Sequence, residues 1–124
     1  MAKWQNDSML DAAVNYIKNN ATEEYLCTSQ PADRAAAISA AVASKTGMTT
    51  GDFTGPSDGD ASGRKIQVNA QNGLTASATG DATHVALCSG TTLLYVTTNT
   101  SQSVTSGNTV NIGAWDIEVA DVTP

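Results

Sequence analysis

The chain is poor in the residue types that most catalytic and nucleic-acid-binding proteins rely on. Of 124 residues one is histidine, two are cysteine, three are proline and six are aromatic, and only 15% carry a charge. Six lysines and arginines stand against twelve acidic residues, a net charge of −6. Phosphate backbones are bound by clustered cations, so the shortage of them argues against a nucleic-acid partner. The same shortage argues against an anionic membrane surface. No run approaches the roughly 18–20 apolar residues that span a bilayer. The opening residues Met1 to Asp7 lead into no apolar stretch. The expectation is therefore no secretory leader, synthesis in a cytoplasm, and no membrane partner.

The two cysteines, Cys27 and Cys88, lie in different apolar runs and form neither a CxxC motif nor a metal pair. Two buried free thiols suit a reducing compartment, and a disulfide between paired strands is the alternative. Asn20-Ala21-Thr22 and Asn99-Thr100-Ser101 match the glycosylation pattern by chance if there is no leader.

What the chain has in abundance is serine, threonine, asparagine, alanine and glycine. A polar, weakly charged exterior can be buried against a neighbour without desolvating many ions. A length of 124 residues fits one domain spanning 1–124.

Leu10, Ala13, Val14 and Ile17 recur at helical spacing, which predicts a helix over 7–19 behind an arm at 1–6 that carries Trp4. Ser8 with Asp11 resembles a capping box, and Asn19-Asn20 suits a helix stop. Tyr25 to Ser29 reads as a short strand. Ser29-Gln30-Pro31 is a helix entry, and Ala32 to Ala43 reads as a short second helix whose end is equally compatible with extended chain. Residues 45–64 are punctuated by Gly47, Gly51, Gly55, Pro56, Gly59 and Gly63. They read as a long Gly/Asp-rich loop with room for a short strand near Met48 to Phe53.

Residues 65–121 form the β-rich body. Asn72-Gly73 is a hairpin signal, and Gly80-Asp81, Ser89-Gly90 and Ser106-Gly107-Asn108 read as further turns. In the last strand Trp115, Ile117 and Val119 alternate with Asp116, Glu118 and Ala120, the pattern of a strand wet on one face. The fold class expected is mainly β, an antiparallel β-sandwich or partly open barrel, with an N-terminal α-helix and a short second helix.

No constellation of side chains predicts chemistry, so no catalytic residue, cofactor or metal is expected. His84 stands without a Gly-x-Ser-x-Gly elbow and opens a strand whose inward positions read as Val85 and Leu87. Asp58-Gly59-Asp60-Ala61-Ser62, with Asp52 nearby, alternates oxygen ligands as calcium loops do. Position 12 of that loop is Asn69 where an EF-hand needs glutamate, and turn formation explains the same residues. Gly59-x-x-x-Gly63-Arg64-Lys65 falls one residue short of a phosphate loop and lacks its Ser/Thr. Arg64 and Lys65 are the only adjacent cations and are candidate contacts to a partner carboxylate. Tyr25, Tyr95 and Trp115 fall in strands and read as core. Trp4 and Phe53, on arm and loop, are candidate anchors into a partner pocket, unless each folds back on its own domain.

The second half resembles a module of small bacteriophage virion proteins of the decoration, head and fibre kind. The residues that carry the resemblance are Ala82-Thr83-His84-Val85-Ala86-Leu87, Thr92-Leu93-Leu94-Tyr95-Val96-Thr97-Thr98, Ser103 to Val110, and Ala114-Trp115-Asp116-Ile117-Glu118-Val119. Met9-Leu10-Asp11-Ala12-Ala13, Asn15-Tyr16-Ile17 and Gly51-Asp52-Phe53-Thr54-Gly55-Pro56 extend it over most of the chain. It implies a non-enzymatic structural protein of the virion with a β-sandwich body. The leading expectation is a capsid decoration (cement) protein bound to the major capsid protein or other virion proteins. The alternative is a neck, tail or fibre component serving as a receptor- or glycan-binding module. Thr/Ser-rich strand faces also admit edge-to-edge pairing into a homo-oligomer.

Overall fold

A computed structural model describes residues 5–120. In chain order the elements are α1 (Asp7–Asn20), β1 (Glu23–Cys27), α2 (Arg34–Ala40), β2 (Ala41–Lys45), a 3-10 turn (Thr50–Asp52), β3 (Phe53–Asp58), β4 (Arg64–Val68), β5 (Gln71–Thr75), β6 (Gly80–Cys88), β7 (Leu93–Val104), β8 (Thr109–Ile112) and β9 (Trp115–Val119). The protein is mainly β, every strand pair is antiparallel, and the sheets stay open rather than closing into a barrel. The chain divides into two compact units, each assembled from segments distant in sequence. The single-domain reading does not contain that division.

Of the described residues, the first unit comprises 5–19, 49–69 and 114–120. Its sheet has the order β3-β4-β9. Successive residues on a strand point to opposite faces. Ile66 and Val68 on β4 are buried, as are Phe53 and Ile117, which come from the flanking strands. Ile66 stands opposite Ile117, and Val68 lies between Phe53 and Trp115. Lys65, Gln67, Asp116 and Glu118 take the other face, where Gln67, Asp116 and Glu118 are exposed. Leu10 and Val14 of α1 are buried, and Arg64, on the same face as Ile66, bonds Asp11 of the helix. The helix therefore covers the apolar face of the sheet and leaves the charged face wet. Lys18 Nζ donates to the Gly55 carbonyl of β3 at 2.7 Å and fixes the other end of the helix.

The start of α1 differs in detail from the Ser8/Asp11 capping box. Asn6 is the cap: its Oδ1 accepts from the Ser8 amide at 2.8 Å and its carbonyl from Met9. A side-chain oxygen aimed at the second helical amide satisfies one of the donors that every helix leaves open.

Within the loop expected over 45–64, Phe53–Asp58 form the strand β3. Gly55 and Pro56 do not prevent pairing, because β3 is an edge strand whose register shifts between Thr54 and Ser57. Proline lacks an N–H, and an edge or a bulge tolerates that loss. Ahead of the strand, Thr49 and Asp52 form a capping box. Thr49 Oγ1 accepts from Gly51 N, and Asp52 Oδ2 accepts from Thr49 N.

The second unit comprises 20–48 and 70–113. It holds a four-stranded sheet, order β2-β1-β6-β7, and the two-stranded pair β5-β8. The central strands are buried on both faces: Glu24 to Cys27 and Val85 to Cys88 are all buried. Val85 and Leu87 are thus not alone in pointing inward. Tyr25, Cys27, Ala86 and Cys88 pack against Ala37 of α2, while Leu26, Val85 and Leu87 occupy the opposite face.

Helix α2 is capped by Asp33, whose side chain accepts from Ala36 N at 2.7 Å, rather than entered at Pro31. It stops at Ala40, and β2 begins at the next residue. The alternative of an extended end is the one observed.

Asn72-Gly73 is not a hairpin turn. It forms an irregularity inside β5, where Gly73 has φ +73° and its amide donates to Asn111 Oδ1 at 2.8 Å. The chain leaves β4 for a strand in a different sheet, so the two apolar runs around Asn72-Gly73 never pair. Gly80-Asp81 likewise starts β6 instead of turning. A Cβ at Gly80 would meet Thr28 Cγ2 at 2.8 Å, a close approach that glycine permits. Ser89-Gly90 and Ser106-Gly107-Asn108 do turn, between β6 and β7 and between β7 and β8. The last strand, with the alternation from Trp115, is β9, and β8 just before it belongs to a different sheet.

Candidate functional site

Of the four candidate contacts to a partner, Trp4 lies outside the described residues. Phe53 is 5% exposed and opposite Val68, in the core of its own unit. Its ring folds back and is not on offer to a partner.

Arg64 and Lys65, adjacent in sequence, are separated by the pleat. Arg64 lies on the helix-covered face, where its Nε bonds Asp11 Oδ1 and its NH1 bonds Asp58 Oδ1, each at 2.7 Å. Lys65 lies on the opposite face, 2.6 Å from Asp60 and 3.2 Å from Asp116. Hydrogen bonding to Asp11 holds the guanidinium in its charged form, and Asp60 does the same for the Lys65 ammonium. The two do not form a joint basic patch; each is a clamp inside its unit.

The aspartates of the candidate calcium loop are dispersed in the same way. Asp52 caps the 3-10 turn, Asp58 meets Arg64, and Asp60 meets Lys65, which holds its carboxyl below the usual range. The Asp60 amide donates to Glu118 Oε1, and Gly59 N donates to Gly63 O at 2.9 Å. This tight turn needs its glycines. A Cβ on Gly63, at φ +72°, would overlap the Val119 carbonyl, and one on Gly59 would overlap Ser62 and Glu118. Among the described residues no three His, Cys, Asp or Glu side chains converge as metal ligands would.

His84 sits on β6 directly across the ladder from Cys27. Its Nδ1 is 2.9 Å from Thr83 Oγ1. Cys27 is buried, its Sγ within hydrogen-bond range of the Tyr25 and Ala37 carbonyls. Burial pushes its thiol up to about 11, the wrong direction for a thiolate nucleophile. Cys88 is also free and buried, and burial pushes it up to about 11 as well. It pairs with Glu23, at the far end of the ladder from the Cys27–His84 pair. At about 3.4 Å per residue that separates the two cysteines by roughly 14 Å along the strands. A disulfide tolerates at most about 7 Å between Cα atoms.

A contact that sequence reasoning missed is the fork between Arg34 and Glu23. Arg34 Nε and NH2 each donate to one Glu23 oxygen at 2.9 Å, tying the start of α2 to β1. The hydrogen bonds from Arg34 hold the Glu23 carboxyl below its usual range. Eleven residues separate the partners, so no helical or strand spacing signals the pair.

Elsewhere the described surface exposes carboxylates such as Asp33 and Asp81 and the apolar side chains Met9, Tyr16 and Ile38. β7, twelve residues long and at the edge of its sheet, contains no charged residue and no proline. Its register shifts beside Thr83 and again between Leu87 and Cys88, and such bulges interrupt an edge. Tyr95, on this strand, is 36% exposed. No helix among the described residues is long and apolar enough to cross a membrane. Compared with protein-family models, with curated proteins and with solved structures, the chain matches none.

Proposed function

We propose that the chain is a non-enzymatic structural protein of a bacteriophage virion that decorates the head by docking on the major capsid protein. The observation that carries this reading is that four cations are spent inside the molecule while the long edge strand β7 carries no charge. Lys18, Arg34, Arg64 and Lys65 all bind oxygens of the protein itself. On β7 the exterior is left to threonine, serine and asparagine. Such a surface docks on a repetitive shell without stripping water from many ions. The resemblance of Ala82 to Leu87 and Thr92 to Thr98 to virion modules supports the same reading.

A neck, tail or fibre role in glycan binding is the second reading, favoured by the exposed Tyr95 on a β face. Glycan readers use aromatic platforms of this kind.

The test is to image particles lacking the protein before and after adding the purified chain. Regular added density on the head supports decoration. Density confined to neck or tail supports the second reading, as would a tryptophan fluorescence change on adding host polysaccharide. No added density anywhere defeats both. A chain beginning at residue 7 is expected to fold but not to dock. Full occupancy by that shortened chain would remove the arm, and Trp4 with it, from the interface.

A further inference from the structure

Surface helices usually turn charged residues to solvent and apolar ones to the core. α1 departs from that rule. At 100° per residue, Asp7, Asp11 and Lys18 project within about 40° of one another. Two of them are held inside the unit, Asp11 by Arg64 and Lys18 by the Gly55 carbonyl. The opposite, solvent side carries Met9, Ala12, Ala13 and Tyr16, which follow i, i+3, i+4, i+7 spacing and are bordered on one side by Ser8 and Asn15. Met9 is 62% exposed and Tyr16 60%, and both alanines are exposed. The helix thus has two apolar stripes: one buried on the sheet, and a second facing out with no charge on it.

We infer that this outer stripe of α1 is a self-association surface, which packs antiparallel against the same stripe of a second copy of the chain. The order of the side chains argues for a copy rather than an unrelated partner. Large residues stand at both ends and alanines at the centre, so a two-fold axis between Ala12 and Ala13 sets Met9 of each copy on Tyr16 of the other. Sulfur–aromatic contact is favourable there, and the alanines let the helices approach closely. Antiparallel helices also set opposite dipole ends together. Charge supports the same choice. The molecule carries −6 and two copies repel in general, yet this face brings no carboxylate to the contact. A face meant for a basic partner would be rimmed by acids, and α1 turns both of its acids away.

The stripe is about 10 Å long. It covers well under the roughly 800 Å² per partner of a standard interface, so the expected association is weak. Association at that strength is negligible in dilute solution and significant where copies are crowded.

The test uses the purified chain alone, so its outcome is independent of any particle. Ala13→Cys places a thiol beside the proposed axis, and Ala35→Cys on α2 is the control. Both sites are exposed, while Cys27 and Cys88 are buried. Under oxygen with a copper catalyst, the Ala13→Cys chain is expected to form a disulfide dimer at least tenfold faster than the Ala35→Cys chain. Sedimentation equilibrium up to about 1 mM is expected to show a monomer–dimer equilibrium in the unaltered chain. Met9→Glu and Tyr16→Glu, at exposed positions that leave the fold intact by circular dichroism, are expected to weaken it at least tenfold. Equal cross-linking at both cysteines, a chain that stays monomeric throughout, or a dimer that survives both glutamates would each overturn the inference.

Discussion

Replacing Ile66 with alanine tests the pleat argument on which the reading of the first unit depends. Ile66 is fully buried, faces Ile117 across the β4–β9 ladder and lies on the side covered by α1. The substitution removes three carbons, worth about 0.8 kcal/mol each in transfer free energy, or roughly 2.4 kcal/mol. Incomplete collapse of the site adds a cavity cost of about 24 cal/mol per Å³, roughly 1 kcal/mol for a residual void of about 40 Å³. The expected loss is therefore about 3 to 4 kcal/mol. With a urea m-value of about 1.5 kcal/mol per M, the midpoint falls by about 2 M. Gln67, the next residue, points to the exposed face, and Gln67→Ala is expected to stay within about 0.5 kcal/mol. Urea unfolding followed by circular dichroism measures both. A loss below about 1 kcal/mol for Ile66→Ala, or an equal loss for Gln67→Ala, would refute the placement of α1 over this face. It would also refute the separation of Arg64 from Lys65.

Gly63→Ala is expected to lower the melting temperature more than Gly47→Ala. Both glycines have positive φ, but a Cβ at Gly63 strikes the Val119 carbonyl whereas one at Gly47 enters open space; equal effects would deny the close approach. Glu23 and Asp60 have lowered folded-state pKa values, so their contribution is present above the unfolded carboxylate range near 4 and is lost as pH falls through the lower folded values. Thermal melts from pH 7 to 3 should thus show stability falling below about pH 4.5, with a shallower fall in Glu23→Gln; an unchanged slope in that variant would contradict the Arg34 fork. Cys27 and Cys88, with thiols near 11, should react with a thiol reagent at pH 8 only after denaturation, and prompt reaction of either in the folded protein would show that its burial is not maintained.

Local chemistry accounts for what was legible in advance. The α1 stripe of Leu10, Val14 and Ile17 announces a helix because 3.6-residue periodicity is a property of neighbours in sequence. The turns at Ser89-Gly90 and Ser106-Gly107-Asn108, the alternation from Trp115 to Val119 and the mainly β class are local in the same sense. Three kinds of feature were not. Asn72-Gly73 carries a hairpin signal, but whether two runs pair depends on which strands reach each other, and β4 is taken by β3 and β9. Phe53 reads as a loop anchor until β3 gains a partner and turns the ring inward. Arg34 and Glu23 find each other only because α2 folds back over β1.

The amino-acid order alone determined the shortage of cations, the helical and strand periods and the turns whose chemistry is local, since each depends on residues a few positions apart. Tertiary structure alone decided which face each strand buries, which acids neutralise Arg64 and Lys65, and which side of α1 remains outside. Asp58 and Asp60 lie within six positions of their cations, but Asp11 with Arg64 and Lys65 with Asp116 pair across more than fifty positions, and no local pattern encodes a pairing at that distance.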